Sequence, residues 1–307
     1  MSEIISSNSD GPMEEPTKPI PALFASIRDE PEEIHRLNET LAERHRTDMV
    51  FYEASLAILR SVTPWADKVE KTHFNRWHPQ PTSVSTPWAA RLAAYQFGGL
   101  DAEATKRRFA DFNERVLSPS PETRQAAVAE IFRWGRVSPR SPWTTDMAEK
   151  VVIAARDEAV PAREVPWSSS WTKVAAAATF DFEFDPALTR VPQVIWDSRV
   201  SFAVAELLGS ACPPLLKEHL LIVPGKTDGR TTSGARAESL KRSGWKTASG
   251  TWTTRANAFW RSQRTGSRLI QMMSKQLNTH EEFRDERVSH PRWSSFDVAL
   301  ALFVEGY

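Results

Sequence analysis

Lys173 and Asp197 stand 24 residues apart in the segment 166–208, which reads PWSSSWTKVAAAATFDFEFDPALTRVPQVIWDSRVSFAVAELL. A polar turn precedes the lysine, an alanine-rich helix carries it, and a short extended link leads to the aspartate that opens the next helix. That order predicts two helix starts facing one cleft, with both side chains pointing into it. An amine near the positive end of a helix dipole and partly withdrawn from water loses basicity and can act as a nucleophile. A carboxylate beside it can stabilise oxocarbenium-like charge or accept the proton of the attacking amine. The pair therefore suits chemistry at a glycosidic bond. Ser168, Ser169 and Ser170, at the helix start, offer amides and hydroxyls to a phosphate. The competing reading is plain: lysines near helix starts are ordinarily solvated, and aspartates there are ordinarily caps.

A second group lies downstream. Residues 224–275 hold eleven bases and two acids, Asp228 and Glu238, and interleave the bases with aromatics. Arg242, Trp245, Lys246, Trp252, Arg255, Phe259, Trp260, Arg261, Arg264 and Arg268 fall in this stretch. Such a pattern suits backbone phosphates and stacked bases, with Arg255, Arg261, Arg264 and Trp260 as the expected DNA contacts. The alternative is a solvated helix face whose tryptophans pack inward.

The elements that must position these groups are mostly helices. Apolar spacing predicts one from Pro31 to Ser61, and Asp101 begins another through Leu117. Ser120-Pro121-Glu122 opens a helix that stops at Gly135, and Thr144 or Thr145 caps one running to Asp157. Helices are further expected from Trp171 to Phe180, from Asp197 to Gly209, from Thr253 to Leu277 and from Trp293 to Phe303. Residues 62–88, rich in Pro and Trp, read as an ordered loop. Strand candidates are Val191–Trp196, interrupted by Pro192, and Leu220–Val223. The fold class expected is all-α, with little or no strand.

Composition narrows the choices. The chain has 307 residues with zero formal net charge, twelve tryptophans and one cysteine, Cys212. One cysteine excludes an intramolecular disulfide, a four-cysteine iron–sulfur cluster and a cysteine-rich zinc site. Residues 1–21 are acidic and proline-bearing and read as a disordered tail without the features of a signal peptide. With no long apolar run, the expectation is a cytoplasmic protein that does not enter the membrane. The charge is uneven, because residues 1–40 carry nine acids against three bases. The basicity near the C-terminal third is thus local, as a polyanion-binding face requires. Gly225-Lys226-Thr227 lacks the upstream glycine of a phosphate loop, since Leu220 stands there. His73 and His78 have no cysteine or acidic set beside them, and Glu183 with Asp185 lacks the lysine element of a nuclease. No metal and no cofactor is expected.

The segment 166–208 resembles the core of the helix–hairpin–helix DNA glycosylase superfamily, in particular its 8-oxoguanine DNA glycosylase-like bacterial branch. That core has a hairpin, a TKVA helix start bearing the catalytic lysine, and a V-D-x-x-V helix start bearing the catalytic aspartate. Here Thr172-Lys173-Val174-Ala175 matches the first, and Asp197-Ser198-Arg199-Val200, after Val194-Ile195-Trp196, is similar to the second. The hairpin reads Val165-Pro166-Trp167-Ser168-Ser169-Ser170 where the family has L-P-G-V-G, and the lysine-to-aspartate spacing is longer than usual. The resemblance spans about 45 residues.

It implies two helical lobes flanking a cleft within residues 22–307, and a monomer that binds double-stranded DNA with the target base flipped out. It implies an enzyme, a DNA glycosylase hydrolysing the N-glycosyl bond of a damaged or modified base. Lys173 would then be the nucleophile, with an associated lyase step, or Asp197 alone would activate water. Base excision of this kind serves genome repair or antiviral defence against phage with modified DNA. The alternative from another class is a non-catalytic DNA-binding or scaffold protein on the same fold.

Overall fold

The computed structural model describes residues 31–71, 82–136, 142–184, 190–223, 235–248 and 252–306. The tail expected over residues 1–21, the pair His73 and His78, Asp185 and the Gly225-Lys226-Thr227 stretch lie outside the described residues. The chain divides into two units, Met1–Asp48 and Met49–Tyr307, and the division falls inside the first helix. That helix, α1, spans Pro31–Ser61. Within the first unit Arg46 pairs with Glu43 one turn earlier, on an exposed face.

The second unit is built from short helices with identifiable starts. After α2 (Trp65–Lys71) and α3 (Pro87–Ala93) come α4 (Ala102–Val116), α5 (Pro121–Trp134) and α6 (Thr145–Arg156). The carboxylate of Asp101 accepts from the Ala104 amide at 2.7 Å, the Ser120 hydroxyl from Thr123 at 3.2 Å, and the Thr144 hydroxyl from Met147 at 3.3 Å. Each satisfies an amide that the helix itself leaves unpaired. Next follow α7 (Trp171–Ala178), a 3-10 turn over Phe180–Phe184, α8 (Ser198–Leu208) and α9 (Pro214–His219). Then come β1 (Leu221–Ile222), α10 (Ala235–Arg242), β2 (Lys246–Thr247), α11 (Trp252–Thr279), α12 (Arg284–Ser289) and α13 (Ser295–Glu305). The protein is mostly helical.

Two helices organise the packing. Every side chain of α13 is buried, and it packs on α3, α8 and α11. Its start is a capping box between Ser294 and Asp297. Every side chain of α7 is buried as well, with α4, α5 and α6 packed around it. The sequence Trp171-Thr172-Lys173-Val174 followed by four alanines explains this, because small side chains let neighbouring helices approach closely.

Two expectations are corrected and one is met. Residues 62–88 are not one loop, since α2 and the first residues of α3 fall within them. The strand expected over Val191–Trp196 does not form, and residues 191–197 carry no regular secondary structure. Their backbone groups bond to side chains instead: the Gln193 amide donates to the Thr179 hydroxyl at 2.8 Å and the Val194 amide to the Ser267 hydroxyl at 3.1 Å. At Leu220–Val223 the expected strand forms as β1, paired in parallel with β2 through Leu221 with Lys246 and Ile222 with Thr247.

Candidate active site

The helix that carries Lys173 is fixed at both ends by side chains. At its start the Ser168 hydroxyl accepts from the Ser170 amide at 3.2 Å and the Trp171 amide at 3.4 Å. The Thr172 amide donates to the Ser168 carbonyl and the Lys173 amide to the Ser170 carbonyl. At its end Asn113 donates to the Ala177 carbonyl at 2.8 Å, and Arg156 to the Ala178 carbonyl at 2.6 Å. Both Asn113 and Arg156 also bond Asp181, so α4, α6 and the 3-10 turn clamp the C-terminal end of α7. Burial and the Arg156 hydrogen bond act in opposite directions on Asp181, and the bond prevails, holding the carboxyl below its ordinary value.

Lys173 itself is 4% exposed. Its ammonium donates to the Ser169 carbonyl at 2.8 Å, and no second acceptor is seen among the described residues. Burial pulls the amine below the ordinary lysine range; the Asp197 charge opposes that effect and the Arg199 charge adds to it. An amine in this setting has lost water without gaining a full set of partners, the condition in which the neutral, nucleophilic form is favoured.

Asp197 is 6% exposed and caps α8. One oxygen, Oδ1, accepts from both the Arg199 amide at 3.0 Å and the Val200 amide at 3.1 Å. The other, Oδ2, takes no hydrogen bond from the described residues. Capping and an unengaged carboxylate oxygen thus coexist on one side chain. The residue before it anchors the link: Trp196 is fully buried and donates from its indole to the Leu221 carbonyl at 3.3 Å. Its ring lies against Gly266 of α11, where a side chain would stand 2.4 Å from the indole. Gln263 on the same helix accepts from the Trp167 indole at 3.0 Å and donates to the Val194 carbonyl at 3.5 Å. One face of α11 therefore holds both the turn before Lys173 and the link before Asp197.

The other expected site residues separate into two groups. Arg255 and Arg261 are exposed on α11, with Arg255 in a non-helical conformation and its guanidinium over the Phe259 ring. Trp260 and Arg264 do not face solvent in the way a DNA contact requires. Trp260 is 1% exposed and belongs to the core. Arg264 lies over its ring and donates to the carbonyls of Ala154, Asp157, Glu158 and Val160, so it closes the end of α6. Burial pulls this guanidinium below its ordinary value, against the charges of Glu158 and Asp157. At the serines, the amides from Ser170 to Lys173 all donate inside their own turn.

Arg199 and Gly135 were not anticipated as site residues. Arg199 follows Asp197 by two positions and was indistinguishable from any surface base; its guanidinium lies over the Phe303 ring at 5.0 Å. Gly135 was legible only as the end of α5. Among the described residues no group of three His, Cys, Asp or Glu could hold a metal ion, and no helix is long and apolar enough to cross a membrane. Cys212 is buried, and burial pushes its thiol up to about 11, against the Lys217 charge. Comparison of the chain with family models, with curated proteins and with solved structures finds no match.

Proposed function

We propose that this protein is a DNA glycosylase of the helix–hairpin–helix type, which flips a modified or damaged base and cleaves its N-glycosidic bond. The observation that carries the reading is the buried amine of Lys173, its basicity lowered by burial and Arg199, within reach of the charge of Asp197. Support comes from the sequence order TKVA then a helix-opening aspartate, and from a carboxylate oxygen left unengaged by the cap. In this reading the Lys173 amine attacks the sugar carbon and the base leaves, which gives an imine to the opened sugar after proton transfer. Asp197 stabilises the cationic transition state and takes the amine proton. Arg255 and Arg261 are the remaining candidates for phosphate contacts in a cleft between two helical lobes.

The test is incubation with duplexes carrying different modified bases, followed by borohydride reduction. The expected result is a covalent protein–DNA adduct on one of them. Lys173→Gln should abolish the adduct and most base release without loss of fold. Base release that persists in Lys173→Gln, with no adduct in the wild type, would assign the reaction to water activated by Asp197. Full activity in both Lys173→Gln and Asp197→Asn would overturn the assignment. Unaltered DNA affinity with no release on any substrate would favour a non-catalytic DNA-binding protein.

A further inference from the structure

The end of α5 carries a glycine whose presence its own backbone does not require. Gly135 has φ −68° and ψ −7°, a right-handed conformation open to every residue. The residue in the left-handed region at this helix end is Arg136, with φ 52°. A glycine placed to terminate the helix would stand there, at the position that turns left-handed. Here an arginine bears that conformation and the glycine sits one residue earlier. The backbone thus gives no reason for glycine at position 135.

The neighbours do. A methyl group at position 135 would lie 2.6 Å from Cδ and 2.9 Å from Cε of Lys173, and 3.2 Å from the Ile131 carbonyl of its own last turn. The carbonyl distance is tight, and the two lysine carbons are far inside van der Waals contact. The methylenes of Lys173 occupy the volume that any other residue would fill. The Lys173 stem is buried and its ammonium is bonded to the Ser169 carbonyl at 2.8 Å, so a stem that yields to a methyl group carries the amine with it.

We infer that Gly135 is a positioning residue for Lys173: the space it leaves is the channel in which the lysine stem lies, and it sets where the amine stands relative to Ser169, Asp197 and Arg199. The inference rests on the reading of Lys173 as a working amine, and the experiment separates the two.

Trace acetylation with acetic anhydride over a range of pH, read by mass spectrometry at Lys173, gives the titration midpoint of that amine whatever the protein acts on. In the wild type the midpoint should fall below that of ordinary exposed lysines. In Gly135→Ala it should shift, because the amine is displaced relative to Ser169, Asp197 and Arg199, and at pH well below the midpoint the neutral fraction changes about tenfold for every pH unit the midpoint moves. A wild-type midpoint in the ordinary range, or no acetylation of Lys173 at any pH, would overturn the working-amine reading. A depressed midpoint left unmoved by Gly135→Ala would overturn the inference alone.

Urea denaturation of the two single variants and of the pair decides the matter should Gly135→Ala fold poorly. Alanine at 135 should cost stability beside Lys173 and little in the Lys173→Ala background, where the stem is gone. An equal cost in both backgrounds, or a double variant that also fails to fold, would show that the glycine serves something other than the lysine.

Discussion

Asp197 performs two tasks that substitutions can separate. Its Oδ1 caps α8, and its charge acts on Lys173. Asparagine keeps an oxygen for the Arg199 and Val200 amides and removes the charge, whereas alanine removes both. Asp197→Asn should therefore keep nearly wild-type stability in urea, while Asp197→Ala should lose about 1 kcal/mol. The sign on the lysine also follows. Asp197 favours the charged amine, so Asp197→Asn should depress Lys173 further below its ordinary range, which Lys173 acetylation against pH would detect. An unchanged midpoint would mean that the two groups do not sense each other. Sequence order alone nominated this pair, because a cap residue and a lysine after a polar turn are local features. The second carboxylate oxygen was not legible, since whether a partner reaches it depends on tertiary packing and not on the local cap. Arg199 escaped notice for the same reason.

Among the elements, legibility followed length and capping. The starts of α4, α5 and α6 were readable because Asp101, Ser120 and Thr144 announce themselves by residue type, and each makes the expected bond. Helices α2, α9 and α12, of six or seven residues, hold too few turns for periodicity to register. The stretch Val191–Trp196 looked like a strand because it is mostly apolar. Its hydrogen bonds go to Thr179 and Ser267, partners that no local pattern could nominate. In α11 the interleaving of bases and aromatics is the same for an interface and for a core, and the structure divides it: Arg261 outward, Trp260 inward, Arg264 onto the end of α6. That division makes a prediction. If the protein binds DNA as proposed, Arg261→Ala should leave stability unchanged and reduce the salt slope of that binding by about one. Arg264→Ala should instead destabilise the fold, as carbonyls at the end of α6 lose their donors, by roughly 1–3 kcal/mol. A thermodynamic cost at Arg261, or none at Arg264, would reverse the assignment. Gly266 offers an independent check, since Gly266→Ala pushes on a fully buried indole and should cost at least about 1–3 kcal/mol.

Across the second unit, the start of α13 ties distant parts of the chain together through charge. Glu183, from the 3-10 turn that follows α7, accepts from the Ser295 and Phe296 amides, each at 2.9 Å. Asp297, inside the same helix start, meets Lys106 of α4 at 2.9 Å and His290 at 3.3 Å. The two carboxylates are driven apart. Burial raises Glu183 to about 7, against its two amide bonds and with the help of the Asp297 charge. Burial also works to raise Asp297, but the His290 bond, Lys106 and the Ser294 amide prevail and hold it at about 2. Glu183 titrates above its ordinary value of 4.5, so the native state binds more protons than the unfolded chain between 4.5 and about 7. Its contribution is complete below 4.5 and is lost as pH rises through 7. Asp297 titrates below its ordinary 3.8, so its contribution is complete above that pH and is lost as pH falls toward 2. Together the pair favours the fold most near pH 4 to 4.5 and withdraws support on either side. Urea denaturation from pH 5 to 8 should show wild-type stability declining through this window by roughly 2–3 kcal/mol from Glu183. Glu183→Gln, which keeps an acceptor for one of the two amides and never ionises, should remove that decline while leaving the acid limb, set by Asp297, in place. Parallel pH profiles for the wild type and Glu183→Gln between 5 and 8 would mean that Glu183 is already ionised when the protein folds, with the two amides of α13 outweighing its burial.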